Sequence, residues 1–230
     1  MKLYNNEFEK YANKHVGIST MNIDYYKKNA EASLTPYILE EREMRVTQMD
    51  IFSRMLLDRI LWVFGPVNDN MTSIVQAQLM FLDNVDNKDI IMQISSPGGS
   101  VPSGLGICDV MGYISSDIST INMGVCASMA SVLLSSGTIG KRHSLKNSRV
   151  MLHTVSSGAE GKIADMLISY KEAEKYNEDL FEILAKNTGK TKKEVMKDAD
   201  RDFWLSSSEA LTYNIIDSVI TKKIDNKKKK

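Results

Sequence analysis

The chain has 230 residues, 43% of them hydrophobic and 25% charged, with 29 basic side chains balanced by 29 acidic ones. A net charge of zero excludes a general nucleic-acid binder, which carries a basic surplus, and the length suits one α/β domain or two small ones. The two cysteines, Cys108 and Cys126, lie in apolar stretches, and the three histidines are scattered; this excludes a disulfide framework and a zinc site and points to a reducing, cytoplasmic setting.

Residues 1–33 are polar with weak periodicity and read as an arm or removable leader. Their charged start lacks the apolar segment of a secretory signal. Nowhere is an apolar run long enough to span a bilayer, so no membrane partner is expected. Leu34-Thr35-Pro36-Tyr37 opens an extended segment, because proline biases its predecessor away from helix. The charged run 40–45 reads as a solvated loop, 50–57 as a helix, and 59–64 as a buried strand stopped by Gly65-Pro66. Met71, Ile74, Val75, Leu79 and Leu82 repeat at helical spacing over 68–82. A strand over 90–94 runs straight into Ser95-Ser96-Pro97-Gly98-Gly99-Ser100, and a helix follows over 103–115. The apolar, β-branched run 118–123 reads as a strand ended by Gly124, with a small-residue bend and a buried helix over 127–134.

Strand and helix thus alternate three times, which predicts parallel strands joined by crossover helices. Function in such sheets collects at the carboxyl ends of strands. Lys141-Arg142-His143 reads as a polar connection. In the strand 149–154, Val150 and Leu152 share one face and Met151 and His153 the other. The longest helix covers 161–185, its apolar positions from Ile163 and Met166 through Tyr170 to Phe181 and Leu184 following the 3.6 period, with Gly189 just past its end. Thr191 with Glu194, and Ser206 with Glu209, match capping boxes. A last strand is expected over 215–220, and 222–230 is a Lys-rich, solvated tail.

Two features bear on chemistry. Ser128 stands where strand turns into helix, among backbone N–H groups that favour negative charge. A serine there is ordinarily a helix cap; as a nucleophile it needs a base, and the base an orienting acid. His15 lies in the polar arm and His143 in a charged connection, whereas His153 ends a strand that would aim it. The acid is Asp198, Asp200 or Asp202, clustered in one run around Arg201. Gly99 lacks a Cβ and can bring its N–H close to a bound carbonyl; with the N–H of Met129 it would form an oxyanion hole. The order Ser, His, Asp matches neither the α/β-hydrolases nor the chymotrypsin or subtilisin types, and G-x-S-x-G is absent. A triad here belongs to another scaffold.

Four motifs in order then carry a resemblance: Ile94-Ser95-Ser96-Pro97-Gly98-Gly99, Gly124-Val125-Cys126-Ala127-Ser128-Met129, Asn147 to His153, and Asp198 to Ser206. The chain resembles the ClpP family, the proteolytic subunits of Clp proteases, over roughly 34–221. The resemblance implies the ClpP/crotonase fold, a spiral of ββα units with a protruding handle made of the long helix and a preceding Gly-rich strand. It implies a serine endopeptidase with Ser128 as nucleophile, His153 as base, Asp202 as orienting acid, and Gly99 and Met129 as oxyanion-hole donors. It further implies two stacked seven-membered rings, with Asp200 and Arg201 in ion pairs between them. An AAA+ unfoldase that consumes the ATP would dock at Met80, Phe81 and Tyr113; no cofactor is implied in this chain. A non-catalytic ring subunit and a crotonase-type acyl-CoA enzyme are the competing readings. Departures from the family pattern are Val125-Cys126 before the serine, Ala130 after it, Ser100-Val101-Pro102 after the glycines, and Ile91 and Gln93 where tyrosines are frequent.

Overall fold

In the computed structural model, residues 37–42, 45–156, 158 and 161–221 are described; the expected leader, 1–33, and the Lys-rich tail lie outside them. The chain divides into two compact units between Asp58 and Arg59. In the first, β1 (Tyr37–Arg42) and β2 (Arg45–Asp50) pair antiparallel, from Tyr37 opposite Asp50 to Arg42 opposite Arg45. The charged run 40–45, expected as a loop, therefore contributes strand residues on both sides. A ladder is built from main-chain N–H and C=O groups, and side-chain charge does not forbid it. Helix α1 (Ile51–Leu57) starts as expected, with the Asp50 carboxylate accepting the N–H groups of Phe52 and Ser53 at 3.0 Å.

The second unit runs β3 (Ile60–Phe64), α2 (Asp69–Val85), β4 (Ile90–Ser96), α3 (Val101–Tyr113), β5 (Ile118–Ala127), α4 (Met129–Ser135), β6 (Arg142–Leu145), β7 (Arg149–Leu152), α5 (Ile163–Thr188), α6 (Lys192–Asp198), β8 (Phe203–Ser206), α7 (Ser207–Thr212) and β9 (Ser218–Ile220). The order β3-β4-β5-β6-β9 is parallel throughout, as strand–helix alternation requires. In β4 the alternation is plain: Ile90, Met92 and Ile94 are buried, and Ile91 and Gln93 lie on the half-exposed face. All seven residues of α4 are buried, so it serves as the central core helix.

The decisive feature is a fork in β5. Thr120 to Asn122 pair with β6, whereas Val125 to Ala127 pair with β7. β7 in turn pairs antiparallel with β8, ending at Leu152 opposite Phe203. Three chain positions far apart in sequence are therefore neighbours: the residue after β5, the residue after β7 and the residue before β8.

Several sequence expectations are corrected. β5 does not stop at Gly124 but runs on to Ala127, because its pairing switches from β6 to β7. α3 begins at Val101; Ser100 caps it and Pro102 sits in its first turn, where no N–H is needed. Arg142 and His143 are strand residues. Arg142 is 3% exposed and paired with Asp217 at 2.6 Å; His143 is half-buried, its Nδ1 2.8 Å from Ser218 Oγ. The last strand shrinks to Ser218–Ile220, the residues that lie opposite His143 to Leu145 of β6, while the Asp217 carboxylate just before it accepts the N–H groups of Gly140 and Arg142. The segment before α5, expected as a Gly-rich strand, carries no strand among its described residues, and residues 157, 159 and 160 lie outside them. In α5 itself Leu180, Phe181 and Leu184 are buried, but Ile163, Leu167 and Tyr170 are exposed by 78%, 56% and 59%. Periodicity marks an apolar face without saying what covers it. Gly189 ends α5 at φ +72°, and both predicted capping boxes form.

Candidate active site

The fork places Ser128, His153 and Asp202 at the three neighbouring positions. Ser128 turns the chain from β5 into α4 with φ +54° and ψ −127°, a conformation that costs a non-glycine residue about 1–3 kcal/mol and persists only where surroundings enforce it. Here they do. Its N–H donates to Met151 C=O at 2.9 Å, and its C=O accepts the Ser131 N–H at 2.9 Å and the Ser131 hydroxyl at 2.6 Å. Although Ser128 holds the N-cap position, its side chain caps nothing. Its Oγ instead lies 2.8 Å from Nε2 of His153.

On the far side of the imidazole, Nδ1 lies 3.4 Å from Asp202 Oδ1, with the Asp202 side chain 63% exposed. The other two candidate acids face elsewhere. Asp198 accepts the Tyr213 hydroxyl at 2.9 Å, and Asp200 is 80% exposed beside Arg201 at 3.9 Å. His143 belongs to the β6–β9 edge, and His15 lies outside the described residues.

The Pro-Gly-Gly turn after β4 closes against this corner. A Cβ on Gly98 would sit 2.6 Å from Ala127 O, 2.7 Å from Ser128 Cβ and 3.0 Å from Met129 N, so only glycine lets the turn approach. Val67 pins it: the Val67 N–H donates to Gly98 O at 2.8 Å and Val67 O accepts the Ser100 N–H at 2.9 Å. By the alternation of a parallel bridge, these bonds use Gly98 and Ser100 and leave the Gly99 N–H directed away from Val67. The Met129 N–H belongs to the first residue of α4 and has no carbonyl of its own turn to bind. Its side chain is 1% exposed and packs against Gly104, which fixes the backbone there.

Gly99, Ser128 and His153 line one cleft of about 200 Å³. Its wall is apolar, with Val101, Val132, Leu152, Leu180 and Phe181 contributing. In the sequence Leu152 and Phe181 mark only apolar faces, and no motif gathers these wall residues, from four elements, into a site. Nor does any motif mark Asn177, whose Oδ1 accepts the Val155 N–H at 2.9 Å and ties the segment after His153 to α5. The available signal was that Asn177 interrupts the apolar stripe between Tyr170 and Leu184 at helical spacing. Cys126, two residues before Ser128, is fully buried, and burial pushes its thiol far above the ordinary range; Cys108 is likewise pushed up by burial, to about 11. Neither thiol competes as a nucleophile.

Of the remaining predicted residues, Met80, Phe81 and Tyr113 are exposed on α2 and at the end of α3, by 38%, 58% and 77%. Among the described residues no group of His, Cys, Asp and Glu could hold a metal ion, and no helix is long and apolar enough to cross a membrane.

A serine bonded to an imidazole that faces a carboxylate, beside two uncommitted N–H groups at a strand-to-helix corner, defines a serine hydrolase. The Clp protease family model matches residues 41–223. The chain is 47% identical over 218 residues to the ATP-dependent Clp protease proteolytic subunit of Bacteroides fragilis (strain YCH46), covering 94% of this chain and 99% of that one. It is 44% identical to the subunit of the same name from Porphyromonas gingivalis and 47% identical to that from Bacteroides thetaiotaomicron, at 94% coverage of this chain and 98% and 99% of theirs. The chain belongs to the Clp protease family. It is a serine endopeptidase with the fold of that family.

Proposed function

We propose that Ser128 is the nucleophile, His153 the general base and Asp202 the orienting acid of a peptidase acting on unfolded chains and peptides. The observation that carries this reading is the 2.8 Å contact between Ser128 Oγ and His153 Nε2, made by a serine whose backbone position would otherwise make it a cap. Ser128 Oγ attacks the scissile carbonyl carbon while its proton passes to His153 Nε2. The resulting oxyanion lies against the N–H groups of Gly99 and Met129. Collapse breaks the C–N bond, and His153 returns the proton to the leaving amine. Water then attacks the Ser128 ester carbonyl, with His153 taking its proton; collapse breaks the bond between the carbonyl carbon and Ser128 Oγ, His153 returns the proton to Oγ, and the carboxylic product leaves. Asp202 stabilises the imidazolium and holds its tautomer. The apolar cleft wall suits an apolar side chain beside the scissile bond.

The protomer works as one of fourteen in two stacked heptameric rings. The exposed apolar residues of α5, Ile163, Leu167 and Tyr170, support burial between subunits, and Asp200 and Arg201 extend that contact between rings. The exposed trio Met80, Phe81 and Tyr113 receives an AAA+ unfoldase, which uses the ATP; the names of the relatives, ATP-dependent proteolytic subunits, support such a partner. No cofactor is required in this chain, and the setting is the cytoplasm.

The test is Ser128→Ala. Loss of peptide cleavage and of fluorophosphonate labelling, with the assembly intact by sedimentation, supports the assignment; retained labelling overturns it. A wild-type ring that never labels, yet does so when mixed with a second ring subunit, identifies a non-catalytic role instead.

A further inference from the structure

Asp202 is the least restrained member of the site. Its side chain is 63% exposed and lies 3.4 Å from His153. The two residues before it, Asp200 and Arg201, are exposed by 80% and 95% and, among the described residues, pair with each other at 3.9 Å. Among the described residues no hydrogen bond from Asp200 or Arg201 reaches the Asp202 carboxylate, which gives weight to the two ends of the run. One end is Asp198, the last residue of α6, followed by Ala199, which is fully buried. The other is Phe203, the first residue of β8.

One side chain touches both ends. Tyr213, at the C-terminus of α7, donates its hydroxyl to Asp198 Oδ2 at 2.9 Å, and its ring lies 5.6 Å, centre to centre, from that of Phe203. The ring is itself held, with Lys190 Nζ 4.4 Å from its centroid, and Tyr213 is 8% exposed. We propose that Tyr213 is a positioning residue for the reaction: it brackets the run from Asp198 to Phe203 and thereby sets where Asp202 meets His153. Its hydroxyl bond to Asp198 is charge-assisted, stronger than a neutral one. Burial and the Asp198 carboxylate both raise the Tyr213 pKa, so the hydroxyl stays a donor throughout the range in which a histidine base works. Tyr213 touches neither the substrate cleft nor the imidazole, and acts only through Asp202.

This inference rests on Asp202 being the orienting acid, so the experiment carries Asp202→Asn as a benchmark. Tyr213→Phe keeps the ring between Lys190 and Phe203 and removes only the bond to Asp198. Asp198→Ala breaks the same bond from the other side and places the best helix former at the end of α6. Both variants and their double are assayed as the assembled enzyme on a fluorogenic peptide, with kcat, KM and the pH profile measured. The expected result is a loss of kcat of about three- to tenfold in each single variant, a part of the worth of a charge-assisted bond, because the bond acts on Asp202 indirectly. KM stays unchanged, and the double variant is no worse than either single one. The acid limb of the profile moves to lower pH, because a displaced carboxylate stabilises the imidazolium less. Mere loosening of the fold would not move that limb. Wild-type kcat and an unmoved limb in both single variants, with Asp202→Asn inactive, overturn the positioning role alone. Full activity of Asp202→Asn overturns the acid assignment and this inference with it.

Discussion

Ser128 Oγ lies 2.8 Å from Nε2 of His153, although Ser128 occupies the N-cap of α4, where a serine hydroxyl ordinarily binds its own helix. The φ of +54° swings the side chain away from the helix and toward β7. Holding Ser128 there costs backbone strain, which the bonds to Met151 and Ser131 offset.

The turn that faces this serine tolerates no side chain. Gly98→Ala would press a methyl group against Ala127 O and Ser128 Cβ at 2.6 and 2.7 Å, from a residue with φ +90°. The variant is expected to lose about 2–4 kcal/mol of stability by urea unfolding. It is also expected to lose cleavage activity more than a hundredfold, because the corner carrying the Ser128 hydroxyl and Met129 N–H must shift. A stable, fully active variant would show that the turn does not define the site.

Asn177 holds the backbone two residues after His153 from outside the triad. Asn177→Ala leaves the Val155 N–H without its partner. Since Val155 lines the cleft, peptide KM is expected to rise about three- to tenfold, the worth of one hydrogen bond, with kcat within twofold. Steady-state kinetics on a short peptide decide it.

Arg142 and Asp217 form a pair at 2.6 Å with side chains 4% and 19% exposed. Asp217→Asn is expected to cost about 3–5 kcal/mol, because it leaves the Arg142 charge without a counter-charge. Burial pulls the Asp217 carboxyl up, but Arg142 and the N–H groups of Arg142 and Gly140 together bring it below its ordinary value. The folded state thus binds the proton less readily than the unfolded chain. The pair's stabilisation is complete above the unfolded carboxylate pKa and is lost as pH falls through the lower folded one. Unfolding curves from pH 7 into the acid range should show the gap between wild type and Asp217→Asn narrowing over that window.

The capping boxes give a smaller, separable effect. Thr191 and Ser206 each accept the N–H of the glutamate three residues on, and each glutamate binds back to the cap N–H. Thr191→Ala and Ser206→Ala should each cost about 1 kcal/mol. The effects are expected to add in the double variant, since the two boxes share no residue. Thermal unfolding monitored by circular dichroism reads both.

The first half of α5 gives an assembly prediction. Leu167→Glu puts a charge on a side chain that is 56% exposed in the protomer. The protomer's own fold should be unaffected, while sedimentation velocity should show smaller species than wild type. An unchanged distribution would mean that this face is not a subunit contact.

Much of this was legible locally. Strand–helix alternation implied the parallel sheet, because crossover connections leave few alternatives. Capping boxes and the glycine after α5 were readable because they depend on residues three or four apart. The loop expected at 40–45 was misjudged because charge reports solvation and not main-chain pairing. Arg142 was misjudged because its partner lies 75 residues away. Among three candidate acids in five residues, local pattern offered no physical choice; the resemblance pointed to Asp202, and the antiparallel pairing of β7 with β8 brings that residue beside His153.

What the sequence alone determined is the set of chemical groups and the local turns that present them: a serine at a helix start, a histidine at a strand end, a glycine pair after a strand. These follow from short-range sterics and hydrogen bonding. Only the tertiary structure decided which of them meet. The fork of β5 between β6 and β7 is a long-range pairing choice, made by the main chain and the buried core together. It brings residues 128, 153 and 202 to one cleft and leaves His143, Asp198 and the two thiols elsewhere.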